Sequence, residues 1–172
     1  MTWTAPQITR VKEPYVADER TMLEGWLDYH RQTLLLKCAG LTAEQLKLRA
    51  VPPSTLSLLG LVRHMAEVER GWFRHWVAGA EVDDIYSTED DEDADFEDIA
   101  DADAEADLAT FRTEVELSRE AAAGRSLEDT FVGRRGDEMS VRWVFVHMIE
   151  EYARHNGHAD LLRECIDGAT GD

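Results

Sequence analysis

Cysteine and lysine are both scarce in this chain of 172 residues. The two cysteines, Cys38 and Cys165, lie among apolar residues in helical patterns and form no CxxC pair. This usage predicts reduced core residues of a cytoplasmic protein. Lysine occurs at only three positions, and 36 acidic residues against 18 basic ones give a net charge of −18. Because phosphate binding needs clustered basic side chains, we expect neither nucleic acids nor membranes as partners.

Long apolar runs are absent as well. No run reaches the roughly 18 residues that a membrane-spanning helix needs. The first 16 residues are polar and carry Pro6 and Pro14, which is not the pattern of a signal peptide. With 44% hydrophobic and 31% charged residues, the composition is that of a globular protein, and the length predicts one domain spanning residues 1–172.

Four segments with helical spacing of apolar residues predict an all-α fold, while signals for strands are few. The segments cover about residues 17–39, 57–77, 102–123 and 141–166, each followed by a glycine within two residues. The predicted apolar face of the first helix comprises Met22, Trp26, Tyr29, Leu34 and Leu36. Short and medium connections favour an antiparallel four-helix bundle.

Three connecting segments have recognisable compositions. Thr42 and Gln45 have capping-box spacing, which predicts a short helical turn over residues 42–48. Residues 81–107 are strongly acidic and predict a solvated linker between the second and third helices. A cation-binding loop is the alternative, although the EF-hand pattern is missing. Residues 128–138 contain Gly133 and Gly136 and predict a short hairpin or an extended loop.

The last helix places an imidazole and a carboxylate on its apolar face. On a helical wheel His155 falls inside the apolar stripe, Glu151 lies on its edge and Glu150 points to solvent. The stripe comprises Val141, Val144, Phe145, Met148, Tyr152, Ala159, Leu162 and Cys165. Two ligands four residues apart on one helix face can share a metal ion. The alternative is a buried ion pair, because an unpaired buried carboxylate costs several kcal/mol.

A third ligand has to come from another helix, and spacing alone leaves several sets open. The second helix offers His64 and His75, which are about 16 Å apart along the axis, so one ion cannot bind both. On the last helix, His147 with Glu151 and His155 with His158 are rival pairs. The sixth histidine, His30, is interpreted as a core residue with satisfied hydrogen bonds.

Two sequence blocks resemble the DinB-like superfamily, most closely an actinobacterial branch of it. They are residues 57–70 (SLLGLVRHMAEVER) and residues 140–160 (SVRWVFVHMIEEYARHNGHAD). The resemblance implies a four-helix bundle that holds a metal with one side chain from the second helix and two from the last. In members similar to the metal-binding domain of mycothiol-dependent maleylpyruvate isomerase, the ligands are His, Glu and His. Transferred to this chain, they are His64, Glu151 and His155.

The resemblance also implies an enzyme of the thiol S-transferase or isomerase type. A divalent metal, zinc first with iron or nickel as alternatives, would activate a low-molecular-weight thiol, mycothiol, toward a small electrophile. No residue stands out as a general base. The alternative is a non-catalytic metal-binding or regulatory module, with residues 81–107 as its contact surface and His147 or His158 closing the fourth coordination position.

The second helix carries more apolar surface than one stripe requires. Its apolar residues near the C-terminal end are Trp72, Phe73, Trp76 and Val77. Such an excess is typical of a second packing surface and predicts a homodimer.

Overall fold

The computed structural model describes residues 2–88 and 90–171 and is mostly helical. Its long helices are α1 (Glu19–Cys38), α3 (Leu58–Glu69), α5 (Ala104–Ala123) and α6 (Val141–Asp167). Helix α3 continues directly as a π-helical segment, Arg70–Val77. The short elements are α2 (Ala43–Leu46), α4 (Ala94–Glu97) and a hairpin of β1 (Thr130–Val132) and β2 (Glu138–Ser140). The hairpin is antiparallel, with Phe131 opposite Met139.

Side-chain caps fix where the helices begin. The Ser57 hydroxyl accepts a hydrogen bond from the Gly60 amide at the start of α3, and Ser140 caps α6 in the same way. Thr42 forms the predicted capping box at α2. Gly168, with a φ of 78°, ends α6 in the left-handed conformation. The long helices therefore begin and end within two residues of the predicted positions.

The helix directions differ from the predicted antiparallel arrangement. Helices α1 and α6 run in the same direction, since Glu19 pairs with Arg142 near their starts and Lys37 pairs with Asp160 near their ends. Helices α3 and α5 are also parallel. Helices α3 and α6 are antiparallel, with His64 beside His155 at one end of their contact. The connection between α3 and α5 must therefore return the chain along the length of α3.

The acidic segment provides this return, so the prediction of a solvated linker is wrong for part of it. The Glu67 carboxylate accepts hydrogen bonds from the backbone amides of residues 85–87, which ties the segment to α3. The buried Arg63 guanidinium lies over the Tyr86 ring and donates to the Ala94 carbonyl. The segment then places α4 against the beginning of α3. Many of its acidic side chains remain exposed, but Asp95 is buried.

The predicted apolar face of α1 is displaced from the observed one. Leu27, Leu34 and Cys38 are buried, whereas Trp26 is 38% exposed. The centre of the buried face is Arg31, whose guanidinium forms two hydrogen bonds of 2.7 Å with the buried Glu69 carboxylate. Because a charged residue lies at the centre of the buried face of α1, the spacing of apolar residues alone did not predict where this face lies. In α6 the predicted stripe is buried, except that Cys165 is exposed rather than a core residue.

Aromatic residues of the π-helical segment find partners within the chain. Phe73 and Val77 are buried. Trp72 packs against Trp143 of α6, and Trp76 stacks on Phe131 of the hairpin. These contacts account for much of the apolar surface from which the homodimer was predicted. Within the described residues, no helix combines the length and apolar character that crossing a membrane requires.

Candidate metal site

Three of the predicted ligands meet between α3 and α6. One ligand atom from each of His64, Glu151 and His155 can be chosen so that all three lie within 4.8 Å of one another. The closest pair on α6 is His155 Nε2 and Glu151 Oε2, 3.5 Å apart. The ring centroids of His64 and His155 are 4.8 Å apart across the helix interface. Because the two helices cross in opposite directions, His64 of α3 lies beside Glu151 and His155, which are one turn apart on α6.

A buried carboxylate orients the His64 ring. The Nδ1 atom of His64 lies 2.8 Å from Oδ2 of Asp95, which is 4% exposed. The other oxygen of Asp95 accepts a hydrogen bond from the Phe96 amide. With Nδ1 occupied, Nε2 is the nitrogen that remains available to a metal. A histidine held by a carboxylate in this way is a recurrent arrangement in protein metal sites.

Helix α4 reaches His64 because α3 has a glycine at the contact. A Cβ atom placed on Gly60 would lie 3.1 Å from the Phe96 carbonyl oxygen and 3.3 Å from the Phe96 Cα. The missing side chain lets the two backbones approach closely. The Phe96 ring then stacks on His64 with a centroid distance of 4.3 Å and covers one side of the site.

His155 is oriented by its neighbours on the same helix. Its Nδ1 lies 3.4 Å from Nδ1 of His158, while its Nε2 faces Glu151. The pKa of His155 is lowered to about 4, first by burial and then by the proximity of His64 and His158. The imidazole is therefore neutral near pH 7, which leaves a lone pair on one ring nitrogen for a metal.

The remaining histidines lie outside the three-residue group. His75 is exposed and packs on Trp76. His30 is half-buried, and one of its ring nitrogens lies 3.3 Å from Nδ2 of Asn156. Burial lowers the pKa of His30, in agreement with its interpretation as a core residue. His158 contacts His155 on the side away from Glu151, so it supports the site rather than joining it.

His147 and the two neighbouring glutamates form a second cluster that shares Glu151. The Nε2 atom of His147 lies 3.7 Å from Oε1 of Glu151, and Glu150 completes the group. However, Glu150 is exposed and forms an ion pair with Arg154, whose guanidinium also lies 3.7 Å from Glu151. A neighbouring cation of this kind disfavours a second metal ion.

Comparison with known proteins identifies the family. The family model for mycothiol S-transferases matches residues 22–168, from α1 to the end of α6. The chain belongs to the mycothiol S-transferase family. This family is part of the DinB-like superfamily, which confirms the resemblance seen in the two sequence blocks. No curated protein matches the chain.

In this mycothiol S-transferase family member, the three donors suit a divalent metal. Two imidazole nitrogens and one carboxylate oxygen form a donor set typical of catalytic zinc sites. Across the part of the chain that the structure describes, no other histidine, cysteine or carboxylate joins the group. An ion bound by three side chains retains a coordination position for a substrate.

Two residues beside the site were missed in the sequence. Asp95 and Phe96 lie in the segment that was interpreted as a solvated linker. Asp95 is one of many acidic residues there, and its composition alone does not distinguish it from exposed neighbours. The apolar residues on either side, Ala94 and Phe96, are a local signal that this turn packs against the protein.

Proposed function

We propose that this family member catalyses the metal-dependent transfer of a low-molecular-weight thiol, mycothiol, to a small electrophile. The metal would be held by Nε2 of His64, a carboxylate oxygen of Glu151 and Nε2 of His155. The observation that carries this proposal is the convergence of three donor atoms within 4.8 Å, with the Nδ1 atom of each histidine already engaged elsewhere. Zinc fits this donor set, and iron or nickel would fit as well.

The chemistry follows from the charges of the ligands. A divalent metal held by His64, Glu151 and His155 would lower the pKa of a thiol bound to it and favour the thiolate. Because imidazole binds a metal ion in its neutral form, Glu151 is the only one of the three residues that would contribute a negative charge. The ligand set therefore leaves a net positive charge with which a thiolate interacts favourably. Asp95 and Phe96 hold the His64 ring in the orientation that would direct its Nε2 at the metal.

The transfer itself is a substitution or an addition at an electrophilic carbon. In the substitution, a bond forms between the thiol sulfur and this carbon. The bond from carbon to the leaving group breaks, and the leaving group departs with the electron pair. The thiol proton is released to solvent. Isomerisation of a substrate through a reversible thiol adduct is the variant of this chemistry that the DinB-like resemblance implied.

The size of the ligand group favours an enzyme over a regulatory module, because three side chains would leave a coordination position for a substrate. Such a module was predicted to fill the fourth position with His147 or His158 and to present residues 81–107 as a contact surface. Neither histidine joins the three-residue group. The acidic segment also makes contacts within the chain, with Glu67 and Arg63 of α3.

The test is mycothiol conjugation by purified protein, measured together with metal content. We expect the parent to form conjugates and His155→Ala to lose both metal and activity. His75→Ala is the matched control, since this exposed histidine lies on the continuation of the same helix as His64. Conjugation at the parent rate by His155→Ala would contradict the proposal.

We further propose that residues 1–172 form one domain with the four-helix bundle of the DinB-like type. The homodimer and the cytoplasmic location stay predictions. Size-exclusion chromatography with light scattering tests the dimer, and elution at the mass of a single chain would rule it out.

A further inference from the structure

A group of aromatic rings lies beside the candidate metal site. The rings of Trp143 and His147 are stacked, with centroids 4.8 Å apart and an interplanar angle of 13°. Trp72 meets both rings at centroid distances of 5.3 and 4.8 Å. We name these three residues the aromatic platform. It joins α6 to the π-helical segment that continues α3.

The platform is continuous with the metal ligands. Trp143, His147, Glu151 and His155 follow one another at intervals of four residues, so they form one row on α6. The row covers about 12 Å from Trp143 to Glu151 at the rise of an α-helix. His147 touches both parts, because its ring stacks on Trp143 while its Nε2 lies 3.7 Å from Glu151.

Exposure decreases along this row toward the metal ligands. Trp143 is 44% exposed although it packs against two other rings. His147 and Glu151 are half-buried, and His155 is buried. A compound that rests on Trp143 would thus be accessible from solvent, at the exposed end of a row that leads about 12 Å along the helix axis to Glu151.

We infer that the aromatic platform binds the electrophile and that its preferred substrates are uncharged aromatic compounds. This inference rests on the proposed function of the metal site. Trp143 would stack on a planar ring and Trp72, which is tilted by 58° from Trp143, would contact its edge, with the reactive carbon directed along the row toward Glu151. Aromatic rings stack favourably on indole and imidazole rings, and flat apolar substrates gain most from such a surface.

The charges around the platform select against anions. Glu150 and Glu151 lie directly beside His147, and the nearby Arg154 is paired with both glutamates. Arg142, near the start of α6, is likewise paired with two glutamates. The whole chain carries a net charge of −18. Because like charges repel an approaching ligand, an anionic aromatic compound should bind more weakly than a neutral one of the same shape.

The first experiment measures binding without the reaction. Nitrobenzene has a planar ring and no leaving group, and it quenches tryptophan fluorescence on contact. We expect the dissociation constant of nitrobenzene to rise about two- to twelvefold in Trp143→Ala, the range expected for one lost aromatic contact. Trp26→Ala is the matched control, because this exposed tryptophan contacts Tyr29 and His30 instead of the metal ligands. Its dissociation constant should equal that of the parent.

The neutral and anionic probes test the charge argument in the same assay. We expect para-nitrobenzoate to bind more weakly than nitrobenzene, with a difference that shrinks as salt is raised. Equal binding of the two probes at low salt would overturn the selection against anions. Unchanged nitrobenzene binding in Trp143→Ala would overturn the platform as the binding site.

The second experiment compares two electrophiles that both lose chloride, para-nitrobenzyl chloride and chloroacetamide. In each reaction a sulfur–carbon bond forms, chloride departs with the electron pair, and the thiol proton goes to solvent. We expect the ratio of kcat/KM for the aromatic compound to that for chloroacetamide to fall about two- to twelvefold in Trp143→Ala. The ratio should be unchanged in Trp26→Ala.

Two outcomes separate this inference from the proposed function. If the ratio stays constant in Trp143→Ala while the KM for mycothiol rises, the platform binds the thiol and the inference is wrong. If the metal-loaded parent conjugates neither chloride, the proposed function fails. In that case nitrobenzene binding still reports whether the platform binds aromatic compounds.

Discussion

Replacing Asp95 by asparagine should weaken metal binding although the new side chain has nearly the same shape. In the parent, one carboxylate oxygen of Asp95 accepts a hydrogen bond from the Phe96 amide, and the other accepts a hydrogen bond from the protonated Nδ1 of His64. In Asp95→Asn, the single amide oxygen is needed by Phe96, so the NH2 group faces His64. This arrangement favours the tautomer with its proton on Nε2, the atom that has to bind the metal.

The magnitude follows from the position of this contact. Loss of a hydrogen-bonding partner behind a metal ligand typically reduces affinity about 10- to 100-fold. This corresponds to about 1.4–2.7 kcal/mol. Because Asp95 is only 4% exposed, water cannot easily replace the lost contact, and we expect the upper part of this range.

The assay is competition for zinc between metal-free protein and a chromophoric chelator. Asp98→Asn is the matched control, since it removes the same charge from an exposed position in the same segment. We expect the control to bind zinc as the parent does. Equal zinc affinity in Asp95→Asn and the parent would refute the assignment of His64 as a ligand oriented by Asp95.

Two further predictions concern the buried ion pairs. Arg31→Met leaves the buried Glu69 carboxylate without its guanidinium partner, so we expect urea titration to show a loss of roughly 3–5 kcal/mol in unfolding free energy. Burial alone would raise the pKa of Glu114, but hydrogen bonds from two arginines of the π-helical segment outweigh burial and lower it. Glu114 therefore stabilises the fold above its ordinary pKa of 4.5, and this contribution disappears as pH falls through the lowered value. Accordingly, the difference in Tm between the parent and Glu114→Gln should be present at pH 7 and shrink in acid; a difference independent of pH would contradict this.

Local sequence signals were sufficient for the helices, and they reduced the candidate ligands on α6 to a few pairs, of which Glu151 with His155 is one. Serine is a favoured N-cap residue, and the side chains of Ser57 and Ser140 do cap α3 and α6. Glu151 and His155 share a helix face through their spacing alone. The third ligand could not be predicted in this way. Spacing along the second predicted helix does not show whether its beginning, with His64, or its end, with His75, lies beside Glu151 and His155. The resemblance to the DinB-like superfamily chose His64 over His75.

Features that depend on the path of the whole chain were not predictable from local patterns. Parallel directions of α3 and α5 require residues between them to return along α3, and this return brings Asp95 to His64. Nothing in a run of acidic residues marks the one that becomes buried. Similarly, Arg31 lies at the centre of a buried face because Glu69, 38 residues later, neutralises it. Such a partner is visible only after folding.

Metal content per chain tests the central claim most directly. The protein should be purified without chelator or nickel affinity, and its metals measured by elemental mass spectrometry beside His64→Ala and His75→Ala. We expect about one divalent ion per chain in the parent and in His75→Ala, and little in His64→Ala. Equal metal in all three proteins, or no uptake by the parent when zinc, iron or nickel is added, would contradict it.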